Sequence, residues 1–240
     1  MKRIIKTVSA LLFPPRCSAC REILPYYDER VLCDNCAEKW ESEINAYCKI
    51  CHKKVFECTC IHDNCKRTVK RLLSVSAYTA ADSVTDHLVL SAKDIRDEKL
   101  FEFMAHKMVG AVYSELSSLG DIVVTFVPRS KRRKRSVGHD QSEILAKKIA
   151  DELGETSFDL LSKKGRVQQK KLDVTGRESN ARESYILRDG AHDKVKGKTV
   201  ILVDDVVTSG ASLSTCAALL KDAGADEIYA LTFAKTVKRR

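Results

Sequence analysis

VILVDDVVTSGAS, residues 200–212, runs four apolar residues into two adjacent carboxylates, two further valines and a set of small hydroxyl-bearing residues around Gly210. The β-branched segment from Thr199 to Asp204 predicts a buried strand that stops at the acids. Leu213, Cys216, Ala217 and Leu220 then recur at helical spacing, so the next element is a helix, with Cys216 a buried, inert thiol on its apolar stripe. In an open parallel sheet, a loop between such a strand and helix lies outside the carboxyl ends of the strands, where ligands bind. Thr208, Ser209, Gly210, Ala211 and Ser212 enter a helix whose first amides lack internal partners and whose dipole favours an anion, and this describes a phosphate cradle. Asp204 and Asp205 would repel an anionic ligand unless something neutral or positive stood between, as ribose hydroxyls or a hydrated Mg²⁺ would.

The residues around this stretch predict strands alternating with helices, an α/β sheet domain. LLSVSAY (72–78), DIVVTFV (121–127), FDLL (158–161) and EIYALTFA (227–234) are the further strands. Leu100, Met104, Met108, Ala111 and Val112 mark an amphipathic helix within 97–116, and Leu145, Ile149 and Leu153 mark another. PRSKRRKRSVGHDQ (128–141) reads as a basic loop at the ligand edge, and the polar stretch 162–185 as a surface loop of the lid kind. The closing KTVKRR reads as a solvated tail.

Nine of the ten cysteines fall within Cys17–Cys65, a clustering that favours metal over disulfides. Cys17-x2-Cys20, a twelve-residue spacer and Cys33-x2-Cys36 have the spacing of two zinc knuckles, in which both thiolates of each pair turn toward one tetrahedral ion. A second unit begins at Cys48 and Cys51 and is completed by Cys58 and Cys60, with Cys65 an alternative to Cys60. Four thiolates leave no open position, so one or two structural Zn²⁺ ions are expected, supplying most of the folding energy of a module too small for a core.

Lys and Arg outnumber Asp and Glu 42 to 33, a net charge of +9 that fits an anionic partner without choosing among nucleic acid, phosphorylated metabolite and acidic protein. The opening MKRIIKTVSALLF is interrupted by Lys6 and followed by Pro14 and Pro15 with no small-residue cleavage site, so it predicts an amphipathic helix rather than a signal peptide. No window has the apolar length of a membrane span, and the expectation is a soluble, cytoplasmic protein with no membrane insertion.

The run from Val200 to Ser212 resembles the phosphoribosyl pyrophosphate (PRPP) loop of type I phosphoribosyltransferases. With the cysteine knuckles in front and Gly138-x-x-Gln141 between, the chain resembles the ComF family from about Cys17 to Lys235. The resemblance implies an N-terminal helix and zinc-ribbon-like module over 1–68 and, over 69–240, a type I phosphoribosyltransferase-like parallel sheet flanked by helices. It implies that Asp204 and Asp205 hold ribose hydroxyls and Mg²⁺, that Thr208 to Ser212 hold the 5′-phosphate, and that Arg129 and Arg133 in the basic run 129–135 approach the pyrophosphate, with Lys93 a further candidate phosphate contact. The implied activity is phosphoribosyl transfer linked to competence and DNA uptake, and the alternative is a non-catalytic scaffold that binds single-stranded DNA or a ComFA-like translocase. Val137 stands where the family has an arginine, a contact that Arg133 or Arg135 would have to replace; the downstream Gln169-Lys170-x-Leu172 and Arg177-x-x-Asn180 patterns are kept.

Overall fold

The structure, a computed structural model, describes residues 14–25, 29–45, 47–48, 51–54, 65, 68–79, 82–94, 96–116, 120–164 and 184–236. Among them the elements run α1 (Asp34–Ile44), β1 (Arg71–Tyr78), α2 (Val84–Asp94), α3 (Glu98–Leu116), β2 (Ile122–Phe126), α4 (Lys131–Val137), α5 (Gln141–Leu153), β3 (Leu161–Lys163), β4 (Tyr185–Leu187), α6 (Ala191–Val195), β5 (Thr199–Val207), α7 (Ala211–Asp222) and β6 (Glu227–Thr236). Four strands form a parallel sheet in the order β1-β6-β5-β2, so β5 and β6 are interior. The opening helix and most of the polar stretch from 162 lie outside the described residues.

Alternation along each strand sends side chains to two cores. On one face Leu73, Val124, Ile201, Val203, Leu231 and Phe233 meet α2, α3 and α5, with Leu100, Met104, Met108 and Val112 buried on the stripe that sequence periodicity marks. On the other, Leu72, Val123, Val200, Leu202 and Ala230 meet α6 and α7, where Cys216 is fully buried. The cysteine-bearing segment joins the first core. Trp40 of α1 is 3% exposed, lies 6.3 Å from Phe233 in a stacked arrangement and 5.0 Å from Phe103, and Cys17, Leu24, Leu32 and Cys36 belong to the same cluster.

Three expectations are corrected. β5 does not stop at Asp204; it continues to Val207, because β6 extends to Thr236 and keeps pairing with it through Asp204↔Thr232, Val206↔Ala234 and Val207↔Lys235. The basic run is a helix, not a loop: the Ser130 hydroxyl accepts from the Arg133 amide at its start, and Gly138 at φ +84° closes it, donating to Lys134 O. Cations in its last turn sit well with the helix dipole, and Lys134 pairs with Glu143. FDLL is not a strand of the main sheet: beside a bridge from Ser157 to Val124, Phe158 donates its amide to Val124 O at 2.9 Å and accepts from the Thr125 hydroxyl at 2.8 Å, and the strand begins at Leu161 and pairs antiparallel with β4 in a separate two-stranded sheet. Asp159, ion-paired with Arg188 at 2.9 Å, stands at the point where the chain leaves the sheet.

Candidate functional site

The carboxyl end of β5 carries the acidic pair at the middle of the sheet. Ser142 Oγ, at the start of α5, donates to Asp204 Oδ1 at 2.9 Å, and the Asp205 amide donates to the same oxygen at 3.0 Å. Arg129, just past β2, donates to Asp205 Oδ2 at 2.6 Å with both side chains largely buried. Its own amide is held by Asp140 Oδ2 at 2.9 Å. After Val207 the chain turns at Gly210, whose φ of +75° suits glycine, and α7 begins at Ala211.

Asp204, Asp205, Arg129, Arg133, Thr208 and Ser212 line one cleft of about 370 Å³, with Lys93 reaching it from α2. Ser209, Gly210 and Ala211 form the turn behind it; the Ser209 hydroxyl accepts from the Ala211 amide at 3.4 Å, and none of the three is on the cleft wall. Of the candidates for the arginine missing at Val137, Arg133 reaches the cleft and Arg135 is not part of its lining. His139 is a core group: its buried ring meets Phe101 edge-on at 5.9 Å and its Nε2 donates to Ala92 O at 3.0 Å. Gln141 donates to the same carbonyl at 3.0 Å.

Burial and the neighbouring Asp205 charge raise the Asp204 carboxyl well above the usual carboxylate range, against the pull of Ser142, the Asp205 amide and Arg129. Burial likewise raises Asp140. Two carboxylates side by side, one of them disfavoured as an anion by burial and by its neighbour, suit a partner that donates hydrogen bonds or carries positive charge, as sugar hydroxyls or a cation would.

Sequence reading missed Tyr78, Lys163 and Tyr185, which also line the cleft. Lys163 Nζ donates to the Tyr185 hydroxyl at 2.9 Å from the neighbouring strand, and burial raises the Tyr185 phenol while Lys163 and Ser212 counter it. Lys163 and Tyr185 stand near the two ends of the polar stretch 162–185, the one signal that the sequence carries. Tyr185→Phe should cost about 0.5–1.5 kcal/mol in urea unfolding, the ordinary worth of a hydrogen bond, with Lys163→Met giving no further loss when combined with it.

The first four cysteines form a candidate metal centre. The Sγ atoms of Cys17, Cys20, Cys33 and Cys36 lie within 4.8 Å of one another, and Cys20 and Cys33 are 3.7 Å apart, close to the ~3.8 Å edge of a tetrahedron with Zn–S bonds of about 2.3 Å. Burial opposes ionisation of Cys17, but amides of Cys20, Cys33 and Ala19 donate to its sulfur and bring it to about 7, while burial raises Cys33 and Cys36. These donor atoms fit Zn²⁺.

The turn at Cys48 and Cys51 repeats the first knuckle bond for bond. Cys17 N bonds Glu22 O and Arg21 N bonds Cys17 O; Cys48 N bonds Lys53 O and His52 N bonds Cys48 O. Arg21 and His52 share a positive φ, and the bridges Arg16↔Ile23 and Tyr47↔Lys54 enclose the two turns alike. Cys58 and Cys60 lie outside the described residues. Cys65, the alternative ligand, is buried and donates to Gly210 O at 3.5 Å, and burial pushes its thiol up to about 11.

A search of the curated proteins found no match. Among solved structures, the allosteric regulatory enzyme of purine biosynthesis is 22% identical with a TM-score of 0.42, the match covering 62% of this chain and 30% of that enzyme's length. A hypoxanthine phosphoribosyltransferase from Staphylococcus aureus is 10% identical with a TM-score of 0.35, covering 61% of this chain and 71% of its own. Hypoxanthine-guanine phosphoribosyltransferase from Schistosoma mansoni is 12% identical with a TM-score of 0.32, covering 59% and 66%. The model of the phosphoribosyl transferase domain matches residues 139–240, which include β5, the acidic pair, the glycine turn and α7. The chain thus has a phosphoribosyltransferase-like α/β fold, and its segment 139–240 is matched to the phosphoribosyl transferase domain family.

Proposed function

We propose that the cleft binds PRPP with Mg²⁺ and supports transfer of the phosphoribosyl group. The observation that carries this reading is the acidic pair at the end of an interior parallel strand, followed within one turn by a helix N-terminus, in a cleft that also holds Lys93, Arg129, Arg133 and Lys163. Asp204 and Asp205 accept from the ribose hydroxyls. Thr208, Ser212 and the first amides of α7 hold the 5′-phosphate, with Ser209, Gly210 and Ala211 shaping the turn, and Arg129 and Arg133 meet the pyrophosphate. In the reaction the acceptor's nucleophile bonds ribose C1 as the C1–O bond to pyrophosphate breaks, the electron pair leaving with pyrophosphate. The two carboxylates favour the positive charge that builds on the sugar, and the basic side chains favour the leaving group. Mg²⁺ supplies charge neutralisation of the pyrophosphate oxygens when bound.

Titration calorimetry of PRPP with Mg²⁺ tests the reading. Binding by the wild type that is lost in the Asp204→Asn, Asp205→Asn variant is expected; absence of binding in the wild type, or its survival in the variant, would overturn it.

The division at about residue 68 and a second zinc at Cys48, Cys51, Cys58 and Cys60 belong to the same reading, the latter supported by the repeated knuckle. A second reading, single-stranded DNA as ligand within a competence machinery that includes a ComFA-like translocase, is supported by α4, whose five consecutive cations, Lys131 to Arg135, are exposed. Affinity for an oligonucleotide that falls steeply with salt, and falls further on neutralising Arg132, Arg133 and Arg135, is the expected sign. Salt-independent retention would remove that reading.

A further inference from the structure

Helix α2 is gripped at both ends by the cysteine-bearing segment. At its N-terminus the Glu43 carboxylate, from the same helix as Cys36, accepts from the Val84 amide at 2.7 Å and from the Thr85 amide and hydroxyl at 2.9 Å each. This satisfies donors that a helix start leaves open, with a charge that suits the dipole. At its C-terminal end Ser91 Oγ donates to Ser18 O at 2.6 Å and accepts from Arg21 at 3.1 Å, and both partners belong to the Cys17–Cys20 knuckle. A metal shared by the two knuckles therefore fixes the spacing of the two grips.

The next two residues of α2 face the cleft machinery. Ala92 O accepts from His139 and Gln141, and Lys93 lines the cleft. The start of α5 that those bonds hold carries Asp140, its cap residue, which fixes the Arg129 amide, and Ser142, which bonds Asp204. Arg129 in turn bonds Asp205. Hydrogen bonds thus connect the first knuckle to both carboxylates through Ser91, the Ala92 carbonyl and residues 139–142. The Oδ1 of Asp140 and the Oε1 of Gln141 have no protein partner among the described residues, so this helix start depends on the few side-chain bonds it does make.

We infer that Ser91 is a positioning residue for the cleft, and that metal held by Cys17, Cys20, Cys33 and Cys36 sets the placement of residues 139–142, and with them of Asp204 and Arg129, through α2. An anchor that merely kept the cysteine segment attached would affect melting and leave the cleft alone; a positioning role reaches the ligand. The inference rests on the PRPP reading only for its affinity readout.

The test compares wild type, Ser91→Ala and Ser91→Thr, all metal-loaded, by PRPP–Mg²⁺ calorimetry and by hydrogen exchange at the amides of 139–142, with a chelated wild-type sample added in the exchange experiment. Expected are a loss in affinity of about 10-fold for Ser91→Ala, within the 5- to 150-fold range of coupling between sites, its recovery in Ser91→Thr, and faster exchange at 139–142 in Ser91→Ala and after chelation. If the wild type binds PRPP and Ser91→Ala binds equally well with unchanged exchange, the inference is overturned and the PRPP reading stands. If no sample binds PRPP but exchange at 139–142 rises in Ser91→Ala and recovers in Ser91→Thr, the PRPP reading fails and the positioning role stands. Exchange at 139–142 that ignores chelation overturns the part assigned to the metal.

Discussion

Complete removal of metal from the cysteine cluster lowers the melting temperature by about 10 °C or more and shifts the emission of Trp40 to the red. Structural Zn²⁺ contributes an apparent ~10–16 kcal/mol to small modules that cannot fold without it, and a chain of this size loses roughly 2–4 °C per kcal/mol. Here part of the loss is offset, because α1 packs into the main core through Trp40 and Phe233, so a net cost of only about 3–5 kcal/mol already gives the expected shift. α1 has eleven residues, too few to persist in water once its connection to the first knuckle is cut. Trp40 is the single tryptophan and is almost wholly buried, so its emission reports this docking without interference. Cys36→Ser should reproduce the shift, while Cys216→Ser, in the opposite core, should leave metal content and Trp40 emission unchanged. A metal-free sample, verified by elemental analysis, with unchanged melting and emission would show that the cluster is an ordinary set of reduced thiols.

What the sequence discloses follows how local the cause is. The strand at 199–207, the helix after it and the first zinc knuckles are each written in a dozen residues, and the spacing of Cys17, Cys20, Cys33 and Cys36 is enough to bring four sulfur atoms together. Five charges in a row suggest a solvated loop, whereas Ser130 and Gly138, cap residues at helical distance, mark the helix that the structure shows. The end of β5 lies beyond the acids because a strand stops where its neighbour does, and nothing in VILVDDVV tells how far β6 extends. Tyr78, Lys163 and Tyr185 come to the cleft from three elements spread over more than a hundred residues, and the contact of Ser91 with Ser18 spans 73 positions. Such contacts depend on tertiary packing, and no period or spacing announces them.

If the proposed PRPP site is right, Asp204→Asn should weaken PRPP binding roughly 10- to 100-fold, the worth of a hydrogen bond to a charged group, and at the same time raise the melting temperature at pH 8. The stabilisation follows from the sign of the carboxyl's shift. Its folded pKa is raised, by burial first and by Asp205 second, above the value near 3.9 expected for an unfolded aspartate. The folded state therefore binds the proton more tightly than the unfolded state. The stability this contributes is fully present below the unfolded pKa and is lost as pH climbs through the folded pKa. Asparagine has no such loss, and its side-chain oxygen can still accept from Ser142 and from the Asp205 amide. The variant should thus melt measurably above the wild type at pH 8, and the difference should close on acidification toward pH 4. Removing negative charge next to Asp205 also leaves the Arg129 pair intact, so the gain is not spent on a broken ion pair. A site that gains stability on losing its ligand contact is one kept strained for binding. Equal melting of the two proteins across the whole pH range would mean that Asp204 ionises in the folded state as easily as in water, and that the acidic pair holds its charge without a ligand to compensate it.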